Sequence, residues 1–198
     1  MIDDLDKSVE ELLKRELPLS LVGQVAISFA APDSEFPPAS VTLPAVDLFL
    51  YDIRENLELR QPGWLIERRE DGTAMKQLRP VRVDCSYLVT AWSSEGSTTR
   101  ALDEHRILSE VMLVLVRHPM LPEQVLQGRL KGQDPPTSTL QPGRLQSVGE
   151  LWQALGGKPK AALNYTVTIG IAPHAPVEAE RPVLQKELQL AGEMEAVR

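Results

Sequence analysis

The stretch PVRVDCSYLVTAWS, residues 80–93, alternates apolar and polar positions along nearly its whole length. Val81, Val83, Cys85, Tyr87, Val89 and Ala91 fall on one side, and Arg82, Asp84, Ser86, Leu88 and Thr90 on the other. Successive side chains of a strand point to opposite faces, so this period of two predicts a strand with one face buried and the other at least partly polar. Such a strand belongs in an antiparallel sheet covered on one side.

Upstream, VDLFLYDI (46–53) is rich in β-forming residues and predicts a second strand. It runs into RENLELRQPGW (54–64), where Pro62-Gly63 and, further on, Asp71-Gly72 signal turns, so that Trp64 to Arg69 forms one arm of a long hairpin. An earlier strand is expected over Val22 to Ala30, followed by a proline-rich loop at 32–44. The last strand is NYTVTIGI (164–171), with Tyr165, Val167, Ile169 and Ile171 on one face.

Three segments have helical character. Ile2, Leu5, Val9, Leu12 and Leu13 recur at helical spacing behind an acidic first turn, and Pro18 stops the helix. A second helix over 101–117, capped by Ser97 or Thr99, is apolar around most of its circumference in its second half and is expected to be largely enclosed. Ser147-Val-Gly-Glu150 is a capping-box pattern that opens a short helix closed by Gly156-Gly157. Between these, 127–146 reads as loop with one short strand near Leu140. Helices and strands do not alternate strictly, which predicts an α+β fold, a mostly antiparallel sheet flanked by helices. The expected organisation is a body over 1–172 and a Pro- and Glu-rich C-terminal arm over 173–198, with a weak helix near 183–195.

The 198 residues carry a net charge of −7 and only 5% aromatics, so the core is expected from Leu, Val, Ile and Ala. An acidic balance excludes a general nucleic-acid binder or a polybasic membrane-surface protein. The amphipathic start lacks the features of a signal peptide, and the longest apolar run, Val111 to Val116, is too short to span a bilayer. A cytoplasmic chain is expected. The single cysteine, Cys85, excludes an intramolecular disulfide and a multi-cysteine zinc site, and reads as a small buried hydrophobe.

Catalytic signatures are absent. His105, His118 and His174 lie far apart, with no HExxH. No GxSxG elbow, GxxxxGK[ST] loop or GxGxxG is present, and Pro159 spoils a phosphate-cradling helix after Gly156-Gly157. No catalytic residue, metal ligand or cofactor is assigned, and the chain is read as non-enzymatic. A binding role has more support. Arg54, Arg60, Arg68 and Arg69 flank Trp64, and Trp and Arg are enriched at interface centres. The alternative is a charged hairpin with Trp64 turned back onto the core. Tyr165, Val167 and Ile169 mark a strand that is either an edge open to strand addition or an ordinary paired strand.

Six stretches together resemble one family. These are VEELLKRELP, ISFAAPDSEFPP, LPAVDLFLYDIRENLELR, VRVDCSYLVTAWSS, DEHRILSEVMLVLVRHPMLP and LWQALGGKPKAALNYTVTIGI, in order over about residues 1–171. The chain resembles the cap, or tail-terminator, proteins of phage-tail-like extracellular contractile injection systems, whose N-terminal domain was long catalogued as one of unknown function. The resemblance implies a tail-terminator-like subunit assembling as a homo-hexameric ring. The ring would close the distal end of the inner tube, anchor the last sheath layer, and take tube and sheath proteins as partners in a particle assembled in the cytoplasm and then released. An adaptor or baseplate-associated subunit of the same machinery is the alternative, and a small uncharacterised enzyme a remote one.

Overall fold

The computed structural model describes residues 1–69, 73–140, 148–175 and 177–179. The chain separates into two compact units, one made of residues 1–60 and 80–171, the other of 61–79 and 172–198. The first contains helix α1 (Ile2–Glu16), strands β1 (Ala26–Ser28) and β2 (Ala45–Glu55), then β5 (Val81–Trp92), α2 (Arg100–Arg117), β6 (Thr137–Thr139), α3 (Val148–Ala154) and β7 (Ala162–Ile171). The second contains β3 (Trp64–Arg68), β4 (Ala74–Leu78) and β8 (Val177–Ala179).

The sheet of the first unit has the order β1-β2-β5-β7-β6, antiparallel throughout except for the parallel β1/β2 pair. The fold is α+β, as the alternation of residues 80–93 predicts. β5 lies at its centre, pairing with β2 from Glu55↔Val83 to Ala45↔Trp92 and with β7 from Val81↔Ile171 to Thr90↔Ala162. The residues of β5 placed on the apolar side, Val83 through Ala91, join Val46, Leu48, Tyr165, Val167 and Ile169 in one core. Both long helices pack there. α1 contributes Leu5, Val9, Leu12 and Leu13, and α2 contributes Ile107, Leu108, Val111, Val114 and Leu115.

α1 stops where expected: Leu17 is extended because Pro18 follows, which disfavours helical geometry in the residue before it. Its solvent side carries the i, i+4 pairs Lys7–Asp3, Lys14–Glu10 and Arg15–Glu11. Each exposed pair is worth only ~0.3–0.5 kcal/mol, so burial of the apolar stripe dominates. Polar ties fix the helix to the sheet and to the segment at 127–129. The Tyr87 hydroxyl donates to Asp6 at 2.7 Å, and Ser8 Oγ accepts the Gln127 amide at 3.0 Å.

The polar side of β5 is more covered than the alternation implies, since Asp84, Ser86, Leu88 and Thr90 are all buried. At the Trp92 end, Phe36 stacks at 4.3 Å from the Trp92 ring and Lys160 sits 3.6 Å from the same ring. Gly156, at φ +67, ends α3 in the left-handed conformation that a glycine C-cap supplies.

Two expectations change, and the open alternative for β7 is decided in favour of the paired strand. The strand expected over Val22–Ala30 shrinks to Ala26–Ser28, because residues 19–24 form turns bonded back to Pro18 and Leu21. The outer side of α2, expected to be enclosed, is exposed at Leu102, Leu113 and Val116, because the sheet covers only one face of the helix. β7 is not an edge strand. β6 pairs with its far side over Tyr165–Val167, and the Gln133 side-chain amide both donates to Gly170 O at 3.1 Å and accepts from Gly170 N at 2.9 Å. The expected Asp71-Gly72 turn and the helix near 183–195 lie outside the described residues.

Candidate protein-interaction surfaces

The candidate residues separate into three places. Tyr165, Val167 and Ile169 are core residues, with Tyr165 and Val167 at 0% exposure, so their side chains are closed to a partner. The correction has a simple cause. An alternating strand looks the same in sequence whether its second edge is open or paired, and here β6 pairs it.

Arg54 and Arg60 lie at the far end of β2 and just beyond it, on the first unit. Arg54 Nε contacts Asp52 at 2.6 Å and Arg60 Nε contacts Glu55 at 3.2 Å, both on the surface. Beneath them runs an open polar trough of about 230 Å³, lined by Asp52, Asn56, Asp84, Ser86 and Thr168 among others. Its floor is internally satisfied. Asp84 accepts from Asn56 Nδ2 at 3.0 Å and from Thr168 Oγ1 at 2.7 Å.

Trp64 and Arg68 lie on β3, and Arg69 directly follows it. Every residue of β3 is exposed. Trp64 is 52%, Leu65 50% and Ile66 61% exposed, so the indole is not folded back onto a core. Lys76 Nζ stands 5.5 Å from its ring centre. β4 is the middle strand of this unit, paired with β3 on one side and β8 on the other, which leaves the outer edge of β3 without a strand partner among the described residues. Three consecutive apolar residues are thus exposed on a strand whose outer edge has no strand partner among the described residues.

Two surfaces were missed in the sequence. One is the exposed side of α2, where Leu102, Leu113 and Val116 follow one another along the helix. The apolar residues all round its second half were the signal for it. The other is a pocket of about 410 Å³ between Phe36, Trp92, Arg100, Glu104 and Lys160. There Lys160 bridges Glu104 at 3.1 Å and donates to Ala91 O at 2.7 Å. Burial lowers its pKa, against the pull of Glu104. Among the described residues no group of three or more His, Cys, Asp and Glu is placed to hold a metal ion, and no helix is long and apolar enough to cross a membrane.

The site geometry is thus an α+β body with a buried core, together with exposed apolar side chains on β3 and on the outer face of α2. Residues 4–186 match the Pvc16 N-terminal domain family, and the chain belongs to that family. No curated protein matches the sequence. Among solved structures, the chain is similar to the sheath/tube terminator of the extracellular contractile injection system PVC in its extended state. That similarity has a TM-score of 0.69 and 25% identity, and covers 100% of this chain and 65% of that one. It is also similar to the tube-terminating cap of the anti-feeding prophage, with a TM-score of 0.64 and 26% identity, over 96% of this chain and 61% of that one. The chain therefore spans less than two thirds of either terminator.

Proposed function

We propose that this chain is a structural cap of a contractile injection system, a tail-terminator subunit that forms a six-fold ring. The ring closes the distal end of the inner tube and anchors the last sheath layer. The observation that carries this reading is the superposition of the whole chain on a sheath/tube terminator at a TM-score of 0.69. The physical logic is that of a stack with an open end. Rings stacked head to tail expose an unsatisfied surface at each growing end, and a subunit matching one face of the stack but not the other stops growth.

The partners are then inner-tube and sheath proteins, together with other copies of the chain. Residues 1–172 supply the terminator body and 173–198 an arm. The role is non-catalytic, which agrees with the missing nucleophile, base and phosphate-binding signatures. Assembly takes place in the cytoplasm, before the particle is released.

The test is removal of the chain from a producing strain, followed by electron microscopy of the particles. The expected outcome is tubes and sheaths of irregular length or sheaths that detach at the distal end, restored by supplying the chain in trans. Particles of normal, uniform length without it would refute the cap.

A further inference from the structure

A closed ring of one kind of subunit needs one surface of each copy to meet a different surface of the next. Two strand edges on this chain have the required character. The first is the outer edge of β3. Arg79 N–H donates to Gly63 O at 3.2 Å and Arg69 N–H to Thr73 O at 2.8 Å, and the register between them is Trp64↔Leu78 through Arg68↔Ala74. In an antiparallel pair the bonded residues alternate, so Leu65 and Glu67 exchange hydrogen bonds with β4. Trp64, Ile66 and Arg68 therefore aim their backbone N–H and C=O groups away from it, along an edge whose side chains are exposed on both faces.

The second is the outer edge of β2. β1 pairs only with Ala45–Asp47, and no strand among the described residues pairs with the remainder of that side. Asn56 N–H donates to Arg82 O at 2.8 Å, so Asp52 and Arg54 face β5, and Ile53 and Glu55 point their backbone groups outward. On the other side of the sheet, β6 and the Gln133 amide cover the outer side of β7 at Tyr165–Val167 and at Gly170.

The two edges are comparable in length. β3 has 5 residues, and the stretch of β2 with accessible side chains runs over residues 49–55, with a register shift between Leu50 and Asp52. β3 brings Trp64, Leu65 and Ile66, while β2 offers the half-exposed Ile53. The two strands of the hairpin and their flanks carry Arg68, Arg69, Lys76 and Arg79 against Glu67, with Glu70 and Asp71 between the strands in sequence. The β2 end carries Asp52, Glu55 and Glu58 with Arg54 and Arg60, which pair with Asp52 and Glu55. The hairpin thus has a small positive excess and the β2 end a small negative one.

We propose that β3 of one copy adds as a strand to the Leu50–Glu55 edge of β2 in the next copy, and that this head-to-tail strand addition joins the ring. The inference rests on the ring reading given above and names the contact that builds it. Backbone hydrogen bonds provide the affinity, and the apolar and charged side chains set the register and the choice of partner.

Ile66→Pro in the full chain tests it. Proline removes the one outward N–H at the middle of β3 and leaves the β3/β4 ladder intact, whereas Ile66→Thr retains the N–H. Native mass spectrometry of the wild type and of Ile66→Thr is expected to show the ring, and Ile66→Pro a monomer with an unchanged thermal transition. Hydrogen exchange at Ile53, Glu55, Trp64 and Arg68 is expected to be at least ~10-fold slower in the wild-type ring than in the Ile66→Pro monomer. Rings of Ile66→Pro with the wild-type exchange pattern would overturn the strand addition and leave the ring reading standing. Protection at residues 50–55 that appears only when sheath protein is added would also overturn it. A wild-type chain that stays monomeric while it still caps particles would instead refute the ring itself.

Discussion

Asp47 sits on β2 between Ser28 and Thr90, fully enclosed, and no hydrogen bond of good geometry reaches either carboxylate oxygen, although the Ser28 hydroxyl and the Ala30 amide lie near them. Burial pushes its pKa up to about 7, against a smaller opposing pull from the Ser28 hydroxyl and the Ala30 amide. Between about pH 4 and 7 the folded chain thus keeps a proton that the unfolded chain has released, and this residue's contribution to stability falls as pH rises through that window. At one pKa unit per 1.36 kcal/mol the full loss is on the order of 4 kcal/mol as an upper bound. Asp47→Asn is expected to flatten this part of the stability–pH profile, measured by urea unfolding at pH 5 and pH 8. An unchanged slope would show that Asp47 is solvated. A second residue-scale prediction concerns Gly128, at φ +51, where an added Cβ would overlap the Asp4 carboxylate. Arg129 N–H donates to that carboxylate at 3.3 Å, so the conflict falls on the contact that pins residues 128–130 to α1. Gly128→Ala is expected to cost ~1–3 kcal/mol in the same assay.

At the scale of elements, α2 separates core from surface within one apolar run. Val114 and Leu115 are buried against the sheet, while Leu113 and Val116 are about half exposed. Leu115→Ala should destabilise the chain by ~2–5 kcal/mol through the cavity it opens. Leu113→Ala should stay within ~0.5 kcal/mol. Equal losses in thermal unfolding would mean that the outer face of α2 is covered in the isolated chain. The strands show the same division. The alternation in β5 and β7 located the core face residue by residue, yet it said nothing about which edge of each strand is paired. β7 was therefore legible as a strand and illegible as an inner one, and the Gln133 amide that seals its end has no sequence signature at all.

For the whole molecule, the hairpin 61–79 interrupts two strands that are antiparallel neighbours, with Glu55 opposite Val83. Replacing residues 61–79 with a short Gly-containing turn is therefore expected to leave the first unit folded, with the same far-ultraviolet spectrum per residue in its helices and sheet. The same variant should no longer form rings on native mass spectrometry. Loss of the folded spectrum would mean that the hairpin supports the body. The ring contact should also respond to salt, because charged side chains line both strand edges, Glu67, Arg68 and Arg69 on one and Asp52, Arg54 and Glu55 on the other. Raising NaCl from 0.05 to 0.5 M is expected to weaken self-association severalfold, as screening shortens the Debye length from about 14 Å to about 4 Å.

The sequence by itself determined the class of fold, the core face of each main strand and the limits of α1, because period, proline and glycine act locally. It also located the Trp64 hairpin as a surface of interest, since an indole among arginines is unusual for a solvated loop. Only the tertiary structure decided which of the candidate residues can meet a partner. It withdrew Tyr165, Val167 and Ile169 into the core and left β3 and the end of β2 with edges that no strand among the described residues pairs. The physical reason is that a strand's side-chain pattern records its faces, whereas its edges are backbone, and whether a backbone edge is satisfied depends on what the rest of the chain brings beside it.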